Sequence, residues 1–210
     1  MRSRVSLKDR DIQEETFSSV TRLIKSLHYT VLTLLICMYL PTSSVAADQS
    51  ASTVFDLPSR WESVLDKQPN LRLSSFKGKP TALALVYSSC PAVCPFIVET
   101  LRLATADQDS KSVNVVLITL DPEHDTAAEL SAFAKKHGVS DRGWFLLRGQ
   151  PEDIREISVA LQSKFAPTAD GQFIHSNEIF VFDTHGGIKD RVSGTIDNAQ
   201  RLGHLLSDSR

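Results

Sequence analysis

Cysteine is scarce in this sequence, and the sequence has no excess of positive charge. Three of its 210 residues are cysteines. Cys37 lies in an N-terminal apolar run, so Cys90 and Cys94 remain as a pair that must be disulfide-bonded, redox-active or metal-bound. The formal net charge is −2 at pH 7, which gives no basic face for nucleic acid, so we expect no nucleic-acid partner. Internal repeats are also lacking, and the 41% apolar and 23% charged residues are typical of a globular domain.

The sequence has no uninterrupted apolar run of clear transmembrane length near its start. VLTLLICMYL (31 to 40) is shorter than the roughly 20 residues that span a bilayer. This run follows basic residues and precedes small residues that end at Ala46, a pattern typical of an export signal. We therefore predict that residues 1–46 are an export signal or a membrane anchor that uses residues 23–40. The protein is then expected in the bacterial periplasm, soluble or tethered to the inner membrane.

Beyond this leader, apolar strand patterns alternate with amphipathic helix patterns. Residues 47–70 are polar with scattered apolar side chains, which predicts a flexible lead-in to a folded domain over residues 71–210. Three apolar runs in that domain have the length of buried strands, and they cover 81–87, 113–120 and 144–148. Each precedes a helix pattern, and Asp125 or Thr126 is expected to cap the second helix. This alternation predicts a parallel sheet with crossover helices.

The C-terminal part of the sequence changes to antiparallel hairpin patterns. FAPTADGQFIH (165 to 175) contains Asp170-Gly171, a pair that tight hairpin turns favour. A second hairpin is expected over residues 178–192, followed by an amphipathic helix over residues 196–206. Together these patterns predict an α/β, thioredoxin-like fold: a central mixed sheet flanked by helices, with an inserted β-hairpin before the terminal hairpin.

The segment SSCPAVCPF (88 to 96) places Cys90 and Cys94 directly after the first apolar run. In an open α/β sheet, ligands bind beyond the carboxyl ends of the strands, which is where both cysteines fall. The N-terminus of the following helix favours the thiolate form, which attacks disulfides and binds metals. A redox role and a metal-binding role are therefore both chemically supported, and an inert disulfide is the third interpretation.

The spacing of the two cysteines separates these interpretations in part. Thiol exchange on this fold normally uses two intervening residues, whereas Pro91, Ala92 and Val93 stand between the cysteines here and leave room for an ion. A disulfide that closes so short a loop stabilises a protein only weakly. The peroxidase pattern PxxxTxxC is absent at both cysteines, which excludes that function.

A histidine near the two sulfurs would complete a metal site. Two thiolates and an imidazole suit copper, with zinc as the competitor. His175 ends an arm of the first hairpin, immediately before the next strand, where thioredoxin-like proteins approach their active cysteines. His124 follows the second apolar run, but an exposed residue at the start of a helix is the simpler interpretation. His175 is the candidate ligand, with an ordinary loop histidine as the alternative.

Four segments resemble, in order, the Sco/SenC copper-binding proteins of cytochrome c oxidase assembly. They are KGKP (77 to 80), YSSCPAVCP (87 to 95), ITLDPEHDT (118 to 126) and IHSNEIFVFDTHGG (174 to 187). The resemblance implies that Cys90, Cys94 and His175 hold one copper ion, Cu(I) or Cu(II). It also implies delivery of that copper to the CuA centre of a cytochrome c oxidase subunit, or reduction of that centre's cysteines.

The sequence departs from the family at two positions and leaves other roles open. Ala92 stands where the family usually has Asp, which removes a negative charge beside the site, and Ser88 stands where the family usually has Thr. Asp121 resembles the family's acidic residue at the strand end and is a candidate to orient the site, with a surface carboxylate as the alternative. A thiol-disulfide oxidoreductase that uses Cys90 and Cys94 and a copper or redox sensor remain alternatives. Oxidoreductases of this fold resemble each other in a cis-proline where Ser176-Asn177 stand here, which favours metal carriage.

Overall fold

The computed structural model describes residues 53–109, 111–169 and 172–209. The predicted export signal or anchor over residues 1–46 and the predicted Asp170-Gly171 turn lie outside the described residues. Among the residues that are described, no helix has the length and apolar character needed to cross a membrane.

A mixed sheet of seven strands forms the centre of the domain. The chain contains, in order, β1 (Trp61–Ser63), β2 (Gln68–Leu71), β3 (Thr81–Val86), β4 (Asn114–Thr119), β5 (Phe145–Arg148), β6 (Phe165–Pro167), β7 (Phe173–His175), β8 (Glu178–Phe182) and β9 (Ile188–Ser193). The central sheet has the order β2-β1-β5-β4-β3-β8-β9. Its strands β3, β4 and β5 run parallel, whereas β1 and β8 pair antiparallel to β5 and β3 at the two sides.

Helices cover both faces of this sheet. They are α1 (Val93–Ala104), α2 (Ala127–Lys136), α3 (Pro151–Ala160) and α4 (Ala199–Ser207). Apolar side chains of α1, α2 and α4 pack on one face, and those of α3 pack on the other. Every residue of β3 and β4 is buried as a result, which explains why both strands are nearly continuous apolar runs in the sequence.

The small antiparallel sheet of β6 and β7 is separate from the central sheet. Its register places Phe165 opposite His175. It precedes the terminal hairpin of β8 and β9, so the predicted thioredoxin-like fold with an inserted hairpin is confirmed.

The described part of the predicted lead-in differs from the expectation, because residues 54–71 form elements of the domain. Phe55 is fully buried and stacks on Phe182, with ring centroids 4.6 Å apart. Trp61 is also buried and begins β1, which pairs with β5. Few apolar residues occur in this segment and they follow no strand or helix period, but each aromatic ring buries a large area. That burial joins the segment to the sheet without a recognisable sequence pattern.

The burial of Phe55 gives a test of this packing. We expect Phe55→Ala to lower the free energy of unfolding by about 3 to 5 kcal/mol, because it leaves a cavity against the rings of Phe76 and Phe182. Phe96→Ala is the matched control, since Phe96 is 53% exposed, and it should change stability by less than about 1 kcal/mol. Urea unfolding followed by tryptophan fluorescence measures both. Equally small effects would show that the segment is not part of the cooperative unit.

Candidate metal centre

Cys90, Cys94 and His175 come together beyond the carboxyl end of β3. Their ligand atoms all lie within 4.8 Å of one another. The Nε2 atom of His175 is 3.7 Å from the Sγ atom of Cys94. Both cysteines are free thiols in this structure. The fold therefore unites the three residues that the sequence predicts as ligands.

The turn between β3 and α1 positions the two sulfurs. The amide of Cys90 donates to the carbonyl of Tyr87 at 3.2 Å, which closes a tight turn after the strand. Cys94 lies in the first turn of α1, and its amide donates to the Sγ atom of Cys90 at 3.3 Å. The partial positive charge at a helix N-terminus favours a thiolate at this position. Cys94 is fully buried, whereas Cys90 is 9% exposed.

A hydrogen bond to the backbone fixes the orientation of the His175 ring. Its Nδ1 atom lies 3.0 Å from the carbonyl oxygen of Ser176. Because a carbonyl only accepts, Nδ1 carries the proton and donates it to this bond. In the neutral ring, Nε2 then offers its lone pair towards the Cys94 sulfur, which is the arrangement that a metal-ligating histidine requires.

Tyr87 connects the cysteine turn to the strand that carries His175. Its hydroxyl lies 3.2 Å from the Oε1 atom of Gln172 and 3.4 Å from the amide nitrogen of Phe173, which donates to it. The ring meets His175 edge-on, with centroids 5.7 Å apart. Burial raises the pKa of Tyr87 to about 12, so the hydroxyl remains protonated. Sequence reasoning missed this role, although a hydroxyl at the end of the apolar run TALALVY was a signal.

The two thiols have opposite pKa shifts. The pKa of Cys90 is lowered, chiefly because the Cys94 thiol donates a hydrogen bond to its sulfur, and backbone amides also contribute. The pKa of Cys94 is raised by the same bond, by burial and by the negative charge of Cys90, with a smaller contribution from Asp125. The pair therefore holds a single thiolate on Cys90 with the remaining proton on Cys94.

Asp121, the predicted orienting carboxylate, is buried but pairs with His124 and has no hydrogen bond to the cysteine turn. Its Oδ1 atom lies 2.8 Å from the Nδ1 atom of His124, whose side chain is 80% exposed. This hydrogen bond raises the pKa of His124. The exposed position agrees with the simpler interpretation of His124 as a residue near the start of a helix.

Asp125 contacts the cysteine turn instead. Its two carboxylate oxygens accept from the amide of Ser88 at 3.2 and 3.1 Å, and the hydroxyl of Ser88 also donates to it. The hydroxyl of Thr119, the last residue of β4, is a further donor. The sequence predicts Asp125 or Thr126 as the cap of α2. The structure shows that Thr126 is the cap, because its hydroxyl accepts a hydrogen bond from the amide of Glu129 at 3.2 Å. Sequence reasoning missed the Asp125 contact because it joins two separate strand ends.

Comparisons with known proteins cover the part of the chain that carries this centre. The SCO1/SenC family model matches residues 50–207. A protein of Bacillus subtilis (strain 168) named SCO1 protein homolog is 24% identical over 134 residues, which is 60% of this chain and 67% of that protein.

Two solved structures are similar at 26% identity. A SCO1/SenC family lipoprotein of Bacillus anthracis matches with a TM-score of 0.61 over 73% of this chain and 95% of that one. ScoI of Bradyrhizobium japonicum, solved with copper bound, matches with a TM-score of 0.58 over 73% of this chain and 98% of that one.

The opposite pKa shifts predict which cysteine reacts first with iodoacetamide. In the reduced, metal-free Cys37→Ser protein, Cys90 should be alkylated before Cys94, because it carries the thiolate and is the less buried of the two sulfurs. Its rate should change little between about pH 8 and about pH 6, whereas an ordinary thiol slows by roughly two orders of magnitude over that range.

Peptide mass mapping at each pH measures the two rates. In the control variant Cys94→Ser with Cys37→Ser, Cys90 loses the thiol donor that lowers its pKa, and the pH dependence should move towards that of an ordinary thiol. Preferential labelling of Cys94 would contradict the assignment.

Proposed function

This chain belongs to the SCO1/SenC family, and on that premise we propose that it is an exported copper carrier. It holds one copper ion through Cys90, Cys94 and His175 and delivers it to the CuA centre of a cytochrome c oxidase subunit or to a similar cuproprotein. The observation that carries the proposal is the position of the His175 imidazole, 3.7 Å from a thiol that lies 81 residues earlier in the chain.

The donor set suits copper in both oxidation states. Thiolates are soft ligands that favour Cu(I), and an imidazole serves Cu(I) and Cu(II) alike. The lowered pKa of Cys90 makes one sulfur available as a thiolate at neutral pH. The raised pKa of Cys94 means that its proton must leave when copper binds, so affinity should increase as the pH rises.

The unequal burial of the ligands fits a carrier that must also release its copper. Cys94 is fully buried, whereas Cys90 is partly exposed and His175 is half-buried. A thiolate of the recipient can therefore reach copper from the side of Cys90 and His175. Transfer then proceeds by exchange of these two ligands, with Cys94 as the last to be replaced.

The proposed place of action follows from the leader. An export signal over residues 1–46 would send the domain to the periplasm, and an uncleaved segment over residues 23–40 would tether it to the inner membrane. Either arrangement brings the copper centre to the side of the membrane where the oxidase's CuA domain is proposed to receive it.

Copper titration tests the proposal. The reduced full-length Cys37→Ser protein should bind one equivalent of Cu(I) in competition with a chromogenic chelator. Cys90→Ser, Cys94→Ser and His175→Ala should each weaken binding by at least about tenfold, because each removes a ligand. His204→Ala is the matched control, since His204 is exposed on α4, and it should bind copper like the parent. Full Cu(I) affinity in the His175 variant would contradict the three-ligand site.

The opposite pKa shifts of the two cysteines also favour one alternative function. A thiolate beside a protonated thiol is the arrangement that thiol-disulfide oxidoreductases use, with Cys90 as the attacking group and Cys94 as the resolving group. Such an activity would keep the cysteines of a cuproprotein reduced. Insulin-disulfide reduction by a parent protein that binds no copper, undiminished in His175→Ala, would establish this alternative.

The contacts of Tyr87 predict a smaller effect on copper binding. Tyr87→Phe keeps the ring against His175 but removes the hydroxyl that meets Gln172 and Phe173. We expect Cu(I) affinity to fall about fivefold, the equivalent of one hydrogen bond worth about 1 kcal/mol. The same chelator competition measures it. Unchanged affinity would show that the ring contact and the β6–β7 pairing hold His175 in place without the hydroxyl.

A further inference from the structure

A buried carboxylate lies directly beneath the turn that carries the cysteines. Asp125 is 1% exposed, and its oxygens accept hydrogen bonds from the Ser88 amide, the Ser88 hydroxyl and the Thr119 hydroxyl. Ser88 is two residues before Cys90 in the chain. These bonds therefore fix the start of the cysteine turn against the end of β4.

Asp125 is the acceptor in all of these bonds. The Ser88 amide can only donate, and it approaches both carboxylate oxygens at nearly equal distances of 3.2 and 3.1 Å. Two hydroxyl donors complete the set, and hydrogen bonds to a carboxylate are among the strong ones. Within the described ranges, no lysine or arginine forms an ion pair with Asp125. The negative charge is thus satisfied chiefly by these three hydrogen-bond donors.

The carboxylate is joined to the cysteine turn by its hydrogen bonds, since Ser88 is two residues before Cys90. Asp125 also contributes to the raised pKa of Cys94, after the larger contributions of Cys90 and of burial. The segment between the cysteines, residues 91–93, carries no charged side chain of its own. Charges in a region of low dielectric interact over several ångströms with little screening. Asp125 is therefore a fixed negative charge within electrostatic reach of the sulfurs.

We propose that Asp125 is a positioning residue that sets the redox balance of the site: it holds the cysteine turn and disfavours the reduced, more negative state of the pair. A disulfide is uncharged, whereas the two-electron reduced pair carries thiolate charge, which a neighbouring carboxylate repels. The same charge favours Cu(II) over Cu(I), because the two ions differ by one positive charge. The copper part of the inference rests on the proposed function, and the thiol part does not.

Equilibration with glutathione tests the thiol part in the metal-free, full-length Cys37→Ser protein. Two glutathione thiols reduce the Cys90–Cys94 disulfide and become one glutathione disulfide, so the electrons balance. Asp125→Asn should raise the equilibrium constant for this reduction about tenfold, which corresponds to a midpoint about 30 mV more positive. Asp121→Asn is the matched control, since Asp121 is also buried but pairs with His124, and it should change the constant less than about threefold. No difference between the two variants would overturn the inference.

Ser88→Ala gives a second measurement that keeps the carboxylate. It removes one hydroxyl donor, so the charge of Asp125 is less well satisfied and the equilibrium constant should fall. An unchanged or higher constant would contradict the proposal. This variant decides the question if Asp125→Asn does not fold.

Copper affinities separate this inference from the proposed function. In Asp125→Asn, the ratio of Cu(II) affinity to Cu(I) affinity should fall about tenfold while the stoichiometry stays at one ion. A parent protein that binds no copper would contradict the carrier proposal but leave the glutathione result standing. If the parent binds copper normally but Asp125→Asn changes neither the redox midpoint nor the ratio of Cu(II) affinity to Cu(I) affinity, the proposed role of Asp125 is wrong. The carrier proposal then stands.

Discussion

The approach of the His175 imidazole to the Cys94 sulfur is the contact on which the rest of the site depends. Cys94 is held by the first turn of α1, which packs on a sheet whose central strands are covered on both faces. The position of the sulfurs is thus set by the packing of the main core. His175 belongs to the small sheet, and Tyr87 is one of the side chains that link the two parts. The candidate centre therefore combines two sulfurs at the edge of the central sheet with an imidazole on a strand of the small sheet.

Local sequence patterns predict the parts of this protein whose folding is locally determined. The strands β3 and β4 are apolar runs buried on both sides. The cysteine pair can be recognised from the sequence because the two residues are close in sequence as well as in space. For this reason the sequence predicts the thioredoxin-like fold correctly. The packing of Phe55 and Trp61 was not predictable in this way, because single large side chains without a period can still join a core. The Asp125 contact was also missed, since only the parallel pairing of β3 with β4 brings Ser88 and Asp125 together.

The electrostatics of the centre reflect two opposing requirements. The thiolates that bind a cation place negative charge near the N-terminus of α1. The α1 amides stabilise that charge. The Cys90 sulfur, burial and, to a smaller extent, the Asp125 carboxylate raise the pKa of Cys94 and so act against a second thiolate there. The result is a pair of sulfurs with unequal proton affinity, placed so that both electron exchange and metal exchange are chemically accessible at the same atoms.

The separation of the ligands along the chain has a consequence for the linkage between metal loading and unfolding. Cys90 and Cys94 are four residues apart, so an unfolded chain still presents both sulfurs to a metal, whereas the imidazole lies 81 residues from Cys94 and is lost from the site on unfolding. Mass action stabilises the folded state only by the difference in affinity between the two states. The thermal protection that a bound ion confers is therefore limited to what folding adds to the two sulfurs, which is the imidazole of His175 and the fixed geometry of the cysteine turn.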